Sequence, residues 1–441
     1  MSSPLLRPEK LSEPSLRMSP ITAERYTSRQ YLGREWRGMW MRTWQIGGVA
    51  YQAPEPGDYL VADLGPESIL IVRQNDGSFR AFHNVCVHRG MRLLHGPDGH
   101  AERITCPYHG WQYGRTGKVE DVPDRNDFPQ GDPCGRLQLA QIRCEQLFGF
   151  VWFNMDRGAP SLQDSLGETV VREIGSYRME RMVRVLNMTA EVECNWKIIT
   201  DNFNEAYHVH VLHRELAPYI ESDARFCQFD LLAGGHNRGW FPSYRPGRSF
   251  RGDRPAEPLI SLMAEWGLDA SKYEGSAAME RIRGDIMAQK RKLGPARGYA
   301  HYEHLADHQL TDYIIYNLFP NSVITVGPDG VQLLRPRPHA SDPARCSFDH
   351  WWLVPPIAGR DFTPSPAGGP DLPVEDAPLE VVKCGEKSLG VTADQDLSVA
   401  AAQQRALSSA GFKSFYLSHQ ERRVQSFHET LDSYLATAIS G

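Results

Sequence analysis

Hydrophobic and polar positions divide the chain into regions of different texture. Residues 1–22 are polar and contain no apolar run, so we predict a flexible arm. Over 23–43, apolar residues recur at helical spacing after Ser28, which predicts a helix that packs on the larger domain. From 44 to 156, short apolar runs alternate with Gly, Pro, Asn and Asp turns, as in a small all-β domain. From 157 to 441, grouped strand patterns and helical stretches indicate a larger α+β domain.

Composition and charge limit the kinds of partner and compartment that the chain can have. The net charge of −6 over 441 residues argues against a general nucleic-acid binder. No stretch of eighteen apolar residues occurs, which predicts no membrane span, and the N-terminal residues lack a signal-peptide pattern. Apart from Cys86 and Cys106, six cysteines are scattered without regular spacing, as expected of small buried residues in a reducing compartment. We therefore expect a cytoplasmic protein.

The most informative motif is a quartet of cysteines and histidines in two tight loops. The first loop reads Cys86-Val-His88 and, after seventeen residues, the second reads Cys106-Pro-Tyr-His109. Two Cys and two His suit a structural zinc ion, and they also suit a Rieske 2Fe-2S cluster, in which two Cys hold one iron and two His the other. Zinc pairs usually place like ligands together, whereas each loop here carries one Cys and one His, which favours the Rieske cluster.

A second constellation lies in residues 201–213, DNFNEAYHVHVLH. Glu205 and His208 are three residues apart and share a helix face. His208 and His213 are five apart, about 140° around a regular helix, so they can share a metal only if the helix bulges or ends between them. His210 and His213 would suit a regular helix better. Spacing alone therefore does not choose between His208 and His210.

The two loops resemble the cluster-binding loops of Rieske non-heme iron oxygenases, the aromatic-ring-hydroxylating enzymes, through Cys-X-His-Arg-Gly and Cys-Pro-Tyr-His-Gly-Trp. The resemblance implies one 2Fe-2S cluster per subunit, with Tyr108 and Trp111 beside it and shielding it or hydrogen-bonding to it. The implied cluster ligands are Cys86, His88, Cys106 and His109.

Glu-Ala-Tyr-His-Val-His-Val-Leu-His resembles the same family's iron-binding signature, preceded by Asn-Trp-Lys. On this resemblance His208 and His213 bind one Fe(II) per subunit, with a carboxylate as the third ligand. Family members place that acid eight residues before a Gln that begins a helical run, which here is Gln404, so Asp396 is the candidate and Asp394 the alternative. Glu205 stands where most relatives have Asp, and it would link His208 to His109 of an adjacent subunit. Val209 and Leu212 are candidates for the substrate pocket.

The resemblance implies an N-terminal all-β Rieske domain and a larger catalytic domain with a helix-grip, START-like antiparallel sheet. It implies the α subunit of a terminal oxygenase that hydroxylates, dihydroxylates or demethylates a small, aromatic or alicyclic substrate with O2. No dinucleotide-binding motif is apparent, so electrons would come from NAD(P)H through a separate flavin reductase, a ferredoxin or both. Arg89, Arg92, Arg103, Arg115 and Lys118 could dock such a partner or form a solvated face.

Other interpretations remain open at this point. A homotrimer is expected, and a separate β subunit is compatible with the sequence. Within the same family, the substrate could be a carnitine- or betaine-like quaternary amine. Outside it, the chain could be a zinc-stabilised binding protein without redox activity or an electron carrier without catalysis.

Overall fold

The computed structural model describes residues 7–11, 13–366 and 370–437, so parts of the expected arm and catalytic domain lie outside the described residues. Two compact units make up the chain. One unit comprises 33–165 with 339–341, and the other comprises 1–32, 166–338 and 342–441. The second unit is thus assembled from both ends of the sequence.

Two short helices open the described chain, α1 Glu24–Thr27 and α2 Arg29–Gly38, followed by a single 3-10 turn at Trp40–Arg42. The predicted helix over 23–43 is therefore broken into three pieces. The break falls at Ser28, which has an extended backbone and whose hydroxyl accepts a hydrogen bond from the Tyr31 backbone N–H. Ser28 thus ends α1 and starts α2.

The first unit is built from antiparallel β-strands. A seven-stranded sheet has the order β1-β10-β9-β4-β3-β2-β5, and a three-stranded sheet has the order β6-β7-β8. The strands are β1 Gln45–Val49, β2 Asp58–Leu64, β3 Glu67–Arg73, β4 Phe79–His83, β5 Asp98–His100, β6 Ile104–Thr105, β7 Gln112–Tyr113, β8 Val119–Asp121, β9 Gln141–Leu147 and β10 Phe150–Asn154.

The larger unit contains an eight-stranded sheet of order β12-β13-β14-β15-β16-β17-β11-β20, antiparallel except between β11 and β20. The mixture of this sheet with helices confirms the predicted α+β fold class. Its strands, with the separate pair β18 and β19, are β11 Val183–Val192, β12 Gln228–Leu231, β13 Asn237–Phe241, β14 Tyr313–Leu318, β15 Ser322–Gly327, β16 Gly330–Pro338, β17 Cys346–Val354, β18 Phe362–Thr363, β19 Leu372–Pro373 and β20 Glu380–Lys383.

Nine further α-helices accompany this sheet or precede it in the described chain. Several are one or two turns long, because Gly, Pro and polar residues interrupt the helical pattern between 204 and 281. They are α3 Leu162–Leu166, α4 Glu168–Gly175, α5 Trp196–Phe203, α6 Val209–Leu212, α7 Leu259–Glu265, α8 Ser276–Met279, α9 Ile282–Leu293, α10 Val391–Leu407 and α11 Arg422–Thr437.

The described residues of the N-terminal arm are tied to the larger unit by buried polar groups. Arg238, fully buried, donates to the Glu9 carbonyl oxygen at 2.6 Å. The Glu429 carboxylate on α11 accepts from the Met18 backbone N–H at 2.8 Å, and Arg25 pairs with Asp432 at 2.7 Å. The described part of the arm is therefore bound along the larger unit, whereas the sequence predicted a flexible arm.

Candidate metal centres

The two Cys–His loops have the same backbone hydrogen bonds. Each cysteine carbonyl oxygen accepts from the glycine four residues later, Gly90 at 3.0 Å and Gly110 at 3.1 Å. Both glycines have positive φ, 77° and 71°, which only glycine adopts without strain. Each cysteine N–H also donates at 2.8 Å to the carbonyl five residues later. The glycines therefore close two matching turns that carry the four candidate ligands.

The loops bring the two histidines together over a buried pair of cysteines. The His88 and His109 ring centres are 4.7 Å apart, and Cys86 and Cys106 are 3% and 2% exposed. Nδ1 of His88 is buried and has no hydrogen-bond partner, which is costly for a polar atom unless a further group binds it. Two thiols, two imidazoles and this unsatisfied nitrogen fit a 2Fe-2S cluster.

Aromatic residues surround the quartet. The Trp111 indole stacks on His88, with ring centres 4.8 Å apart and planes within 4° of parallel, and is buried. Tyr108 lies against His109 but is 56% exposed, so it does not shield the quartet from solvent. Tyr113, to which the sequence assigned no role, places its hydroxyl 3.0 Å from Cys86 Sγ and accepts from the Val87 backbone N–H. In the sequence, the feature that pointed to Tyr113 was its position two residues after Trp111, because residues two apart in an extended segment face the same side.

Most of the basic residues near these loops are paired with acids. Arg92 bonds to Asp63, Arg103 to Glu120 at 3.6 Å, and Arg115 to Glu102 at 2.5 Å. Arg89 lies over the Tyr108 ring. The positive charge expected to attract an acidic partner is therefore largely neutralised within the unit.

The second constellation lies on a broken helix. α5 ends at Phe203 and α6 is a single turn from Val209 to Leu212, so this segment is not one continuous helix. His208 and His213 flank that turn, and His213 has left the helical conformation (φ −112°, ψ 54°). Because α6 ends at Leu212, between the two histidines, they are not held about 140° apart as on a regular helix. Each imidazole can therefore turn towards a common point.

Side chains of the sheet fix where α5 ends. The Asn317 amide on β14 donates to the Phe203 carbonyl at 3.0 Å, and the Asn237 amide on β13 donates to Asn204 Oδ1 at 2.7 Å. The first bond satisfies a backbone carbonyl that a longer helix would have used internally, and the second holds the side chain of the residue that follows α5. Glu205 and the residues after it are thereby released from the helix at a defined position.

Three candidate iron ligands converge. Among the described residues, one group of three or more His, Cys, Asp or Glu is arranged to hold a single metal ion. It consists of His208, His213 and Asp396, whose ligand atoms all lie within 4.8 Å of one another. Nε2 of His213 lies 2.9 Å from Asp396 Oδ1, and Nε2 of His208 lies 3.5 Å from the same oxygen. Two imidazoles and one carboxylate fit a mononuclear iron.

The far nitrogen of each imidazole has its own acceptor. Nδ1 of His208 bonds to the Glu205 carboxylate, and Nδ1 of His213 lies 2.5 Å from Gln395 Oε1. An acceptor at Nδ1 places the hydrogen there and leaves Nε2 free to bind a metal. Burial opposes the charged form of His213, but the hydrogen bond and charge of Asp396 and the bond to Gln395 outweigh it and raise its pKa. Gln395 was missed in the sequence, where only its position beside Asp396 pointed to it.

The other sequence candidates lie apart from this group. Asp394 accepts from the Leu389 backbone N–H at 2.9 Å and from the Ser388 hydroxyl, at the start of α10. His210 is exposed and contacts Tyr207. Val209 and Leu212 are partly exposed on α6.

Two family models match the chain. Residues 179–437 match the ring hydroxylating alpha subunit (catalytic domain), and residues 43–138 match the Rieske [2Fe-2S] domain. The first match spans more than half of the chain. The chain belongs to the ring-hydroxylating alpha-subunit family. Membership implies a 2Fe-2S cluster and a mononuclear iron, as the sequence predicted.

Curated relatives in this family include dioxygenases and a monooxygenase. The large oxygenase component of a Pseudomonas aeruginosa naphthalene 1,2-dioxygenase system is 34% identical over 186 residues, 41% of each chain. The carnitine monooxygenase oxygenase subunit of Escherichia coli (strain K12) is 30% identical over 204 residues, 46% of this chain and 54% of that one. The chain thus matches about two fifths to one half of the length of these relatives.

Solved structures of the family share the fold over nearly the whole chain. A quaternary ammonium Rieske monooxygenase in complex with an inhibitor has a TM-score of 0.66 at 19% identity, covering 94% of this chain and 95% of that one. A naphthalene 1,2-dioxygenase with indole bound has a TM-score of 0.64 at 18% identity, covering 95% and 92%. Within the described residues, no helix combines the length and apolarity needed to cross a membrane.

Proposed function

We propose that this chain is the terminal oxygenase component of a Rieske non-heme iron system, which hydroxylates, dihydroxylates or demethylates a small ring compound. The convergence of His208, His213 and Asp396, with Nδ1 of both histidines held by acceptors, carries the proposal. Dioxygen, two electrons and two protons would place one oxygen in the substrate and one in water, or both oxygens in a diol.

Each site would hold its group through the residues described above. Cys86, His88, Cys106 and His109 would hold the cluster, and the His208, His213 and Asp396 set would hold iron. The cluster would supply electrons one at a time, and the iron would provide the place where dioxygen and substrate meet. Gln395 and Glu205 would keep the imidazoles oriented.

Glu205 is proposed to connect the two kinds of site between subunits. Its carboxylate bonds to His208 Nδ1 on one side. It also lines a cavity of about 640 Å³ together with Asp201, Phe415 and the fully exposed Tyr416. An opening of this kind would let His109 of an adjacent subunit approach Glu205. We propose that the subunits form a homotrimer, as the family resemblance implies, with or without a separate β subunit.

Electrons are proposed to come from NAD(P)H through a separate flavin reductase, a ferredoxin or both. The paired arginines of the Rieske unit favour contacts through exposed apolar groups rather than a strong basic patch. Val85, Val87 and Tyr108 are the exposed apolar residues at the cluster loops. We place the protein in the cytoplasm, where Cys86 and Cys106 would stay reduced.

A neutral ring substrate is favoured over a quaternary amine. One described aromatic cluster of the kind that binds cations already encloses the fully buried ammonium of Lys290, which lies 4.5 Å from the Tyr244 ring centre, 5.4 Å from Trp266 and 5.3 Å from Tyr302. Lys290 also pairs with Asp329 at 2.8 Å. A substrate cation would have to displace this ion pair. Val209 and Leu212 are proposed to face the substrate.

Incorporation of labelled oxygen tests the function. The iron- and cluster-loaded protein, a surrogate reductase, NADH and ¹⁸O2 should convert ring compounds to ¹⁸O-labelled products, read by mass spectrometry. His213→Ala should abolish product while the visible spectrum of the cluster persists. His210→Ala, an exposed histidine on the same short helix, is the matched control and should retain turnover. Product formation by His213→Ala would refute the iron assignment, and a colourless, zinc-containing wild-type protein would refute the proposal as a whole.

A further inference from the structure

A row of partly exposed side chains crosses the middle of the catalytic sheet. Ile315 on β14 pairs with Thr325 on β15, Thr325 with Gln332 on β16, and Gln332 with Trp352 on β17. All four point to the same face and all four are partly exposed. Their neighbours in sequence point to the opposite face and are buried, namely Ile314, Tyr316, Ile324, Val326, Val331, Leu333, Trp351 and Leu353. Open space therefore lies over this row.

The open space begins where the helix that leads to Glu205 ends. One step along the strands from the row, Asn317, Val323, Leu334 and His350 are all buried. Asn317 bonds to the Phe203 carbonyl at the end of α5, so α5 covers this end of the sheet. The row is thus the first uncovered part of the face on which the proposed iron-binding segment starts.

Aromatic rings close the other side of the space. An added Cβ at Gly327 would lie 2.7 Å from the Tyr313 ring, and one at Gly330 would lie 2.6 Å from the Trp352 ring. These glycines let both rings lie flat on the sheet. Four strands at about 4.8 Å spacing give the row a width of about 14 Å, enough for a flat compound of one or two fused rings.

The row carries no charged side chain, and its exposed polar groups are an amide and a hydroxyl. The indole nitrogen of Trp352 is buried. The Gln332 side-chain nitrogen lies 2.8 Å from Nε2 of His350. An amide nitrogen donates and never accepts, so His350 Nε2 must be the acceptor. Burial keeps His350 in the neutral form that this requires, and it lowers the pKa of His350 to about 4.

The hydrogen bond to His350 fixes which end of the Gln332 amide faces the open space. Because the nitrogen is turned towards His350, the carbonyl oxygen Oε1 points away from it and has no partner among the described hydrogen bonds. At Gln332, a ring compound in this space would therefore meet the amide oxygen, which is an acceptor.

We propose that Gln332 is a specificity-determining residue that accepts a hydrogen bond from a neutral, flat ring substrate bearing an N–H or O–H group. The proposal rests on the proposed function in that it names the substrate class of the same site. His350 is a positioning residue that holds the amide in the accepting orientation.

Equilibrium binding of two matched probes tests this inference. Indole and benzofuran have the same shape, but only indole has a hydrogen-bond donor. Their dissociation constants would be measured by calorimetry on the loaded protein without reductant, so that turnover does not enter. The preference for indole should be about three- to ten-fold larger in the wild type than in Gln332→Met, as for one neutral hydrogen bond. Comparing preferences cancels the difference in hydration of the probes.

Two further variants sharpen the result. Thr325→Val, which removes the neighbouring hydroxyl, should keep the wild-type preference. His350→Phe should reduce it although Gln332 is present, because the amide can then turn. Equal preferences in wild type and Gln332→Met, failure of both probes to bind the wild type, or loss of the preference only in Thr325→Val would each overturn the proposal. A preference that follows Gln332 in a protein that incorporates no ¹⁸O would uphold the binding role and refute the oxygenase function.

Discussion

The hydrogen bond between His213 and Gln395 should determine how tightly the mononuclear iron is held. Gln395 Oε1 lies 2.5 Å from His213 Nδ1, and His213 is 4% exposed, so water has little access to replace the acceptor. Replacing Gln395 with methionine keeps the length of the side chain and removes the acceptor. The imidazole then loses both its preferred tautomer and its fixed orientation.

The size of the effect follows from what such acceptors contribute in metal sites. Loss of a hydrogen-bond partner to a ligating histidine typically weakens metal binding by about 10- to 100-fold. This corresponds to about 1.4–2.7 kcal/mol. Gln395→Glu keeps an acceptor and adds charge, so it should retain the affinity or increase it.

Anaerobic competition with a chromophoric chelator measures the iron affinity directly, and visible absorption confirms that the cluster is unchanged. Gln403→Met, on the exposed face of the same helix, is the matched control and should bind iron as the wild type does. Unchanged affinity in Gln395→Met, or an equal loss in Gln403→Met, would refute the assigned role of Gln395.

Three other outcomes are expected. Tyr113→Phe should lower the reduction potential of the cluster, since the hydroxyl near Cys86 Sγ stabilises the more negative reduced state; protein-film voltammetry would show an unshifted potential if this is wrong. Between pH 6.5 and about 4, the folded protein binds fewer protons at His350 than the unfolded chain, so stability should fall by up to about 3 kcal/mol as the pH is lowered through this range. Urea unfolding at several pH values should show a smaller fall in His350→Gln. Glu205→Gln should slow turnover at least about ten-fold with the cluster spectrum unchanged, and turnover at the wild-type rate would argue against an electron path through Glu205.

The sequence predicted those parts of the sites whose residues are close together along the chain. The two Cys–His loops and the segment from Glu205 to His213 are each contiguous, so local motifs were sufficient. Asp396 lies far from these segments in sequence, and its assignment required a count of eight residues to Gln404 on the same helix, α10. The end of α5 at Phe203 could not be foreseen from periodicity, because side chains of distant strands, Asn237 and Asn317, bond to the residues at that end.

Other parts depend on contacts that no local pattern records. The Gln332–His350 bond joins two strands, and which face its side chains occupy depends on strand register. The N-terminal arm is held by partners more than two hundred residues away in sequence, such as Arg238, which bonds to Glu9. A polar N-terminal segment has the composition of a flexible one whether or not the fold provides partners for it.

The bound arm has a consequence for how the protein is made. Met18 and Glu429 are 411 residues apart in sequence, so the arm leaves the ribosome long before its partner helix. At ordinary synthesis rates, the stretch from 165 to 432 takes on the order of 15 to 50 seconds to emerge. During that time the Rieske unit already has residues 33–165, which is all of it except 339–341, whereas the catalytic unit is still incomplete. A nascent chain should therefore acquire its cluster-binding domain well before its iron-binding domain, with the N-terminal arm settling at the end.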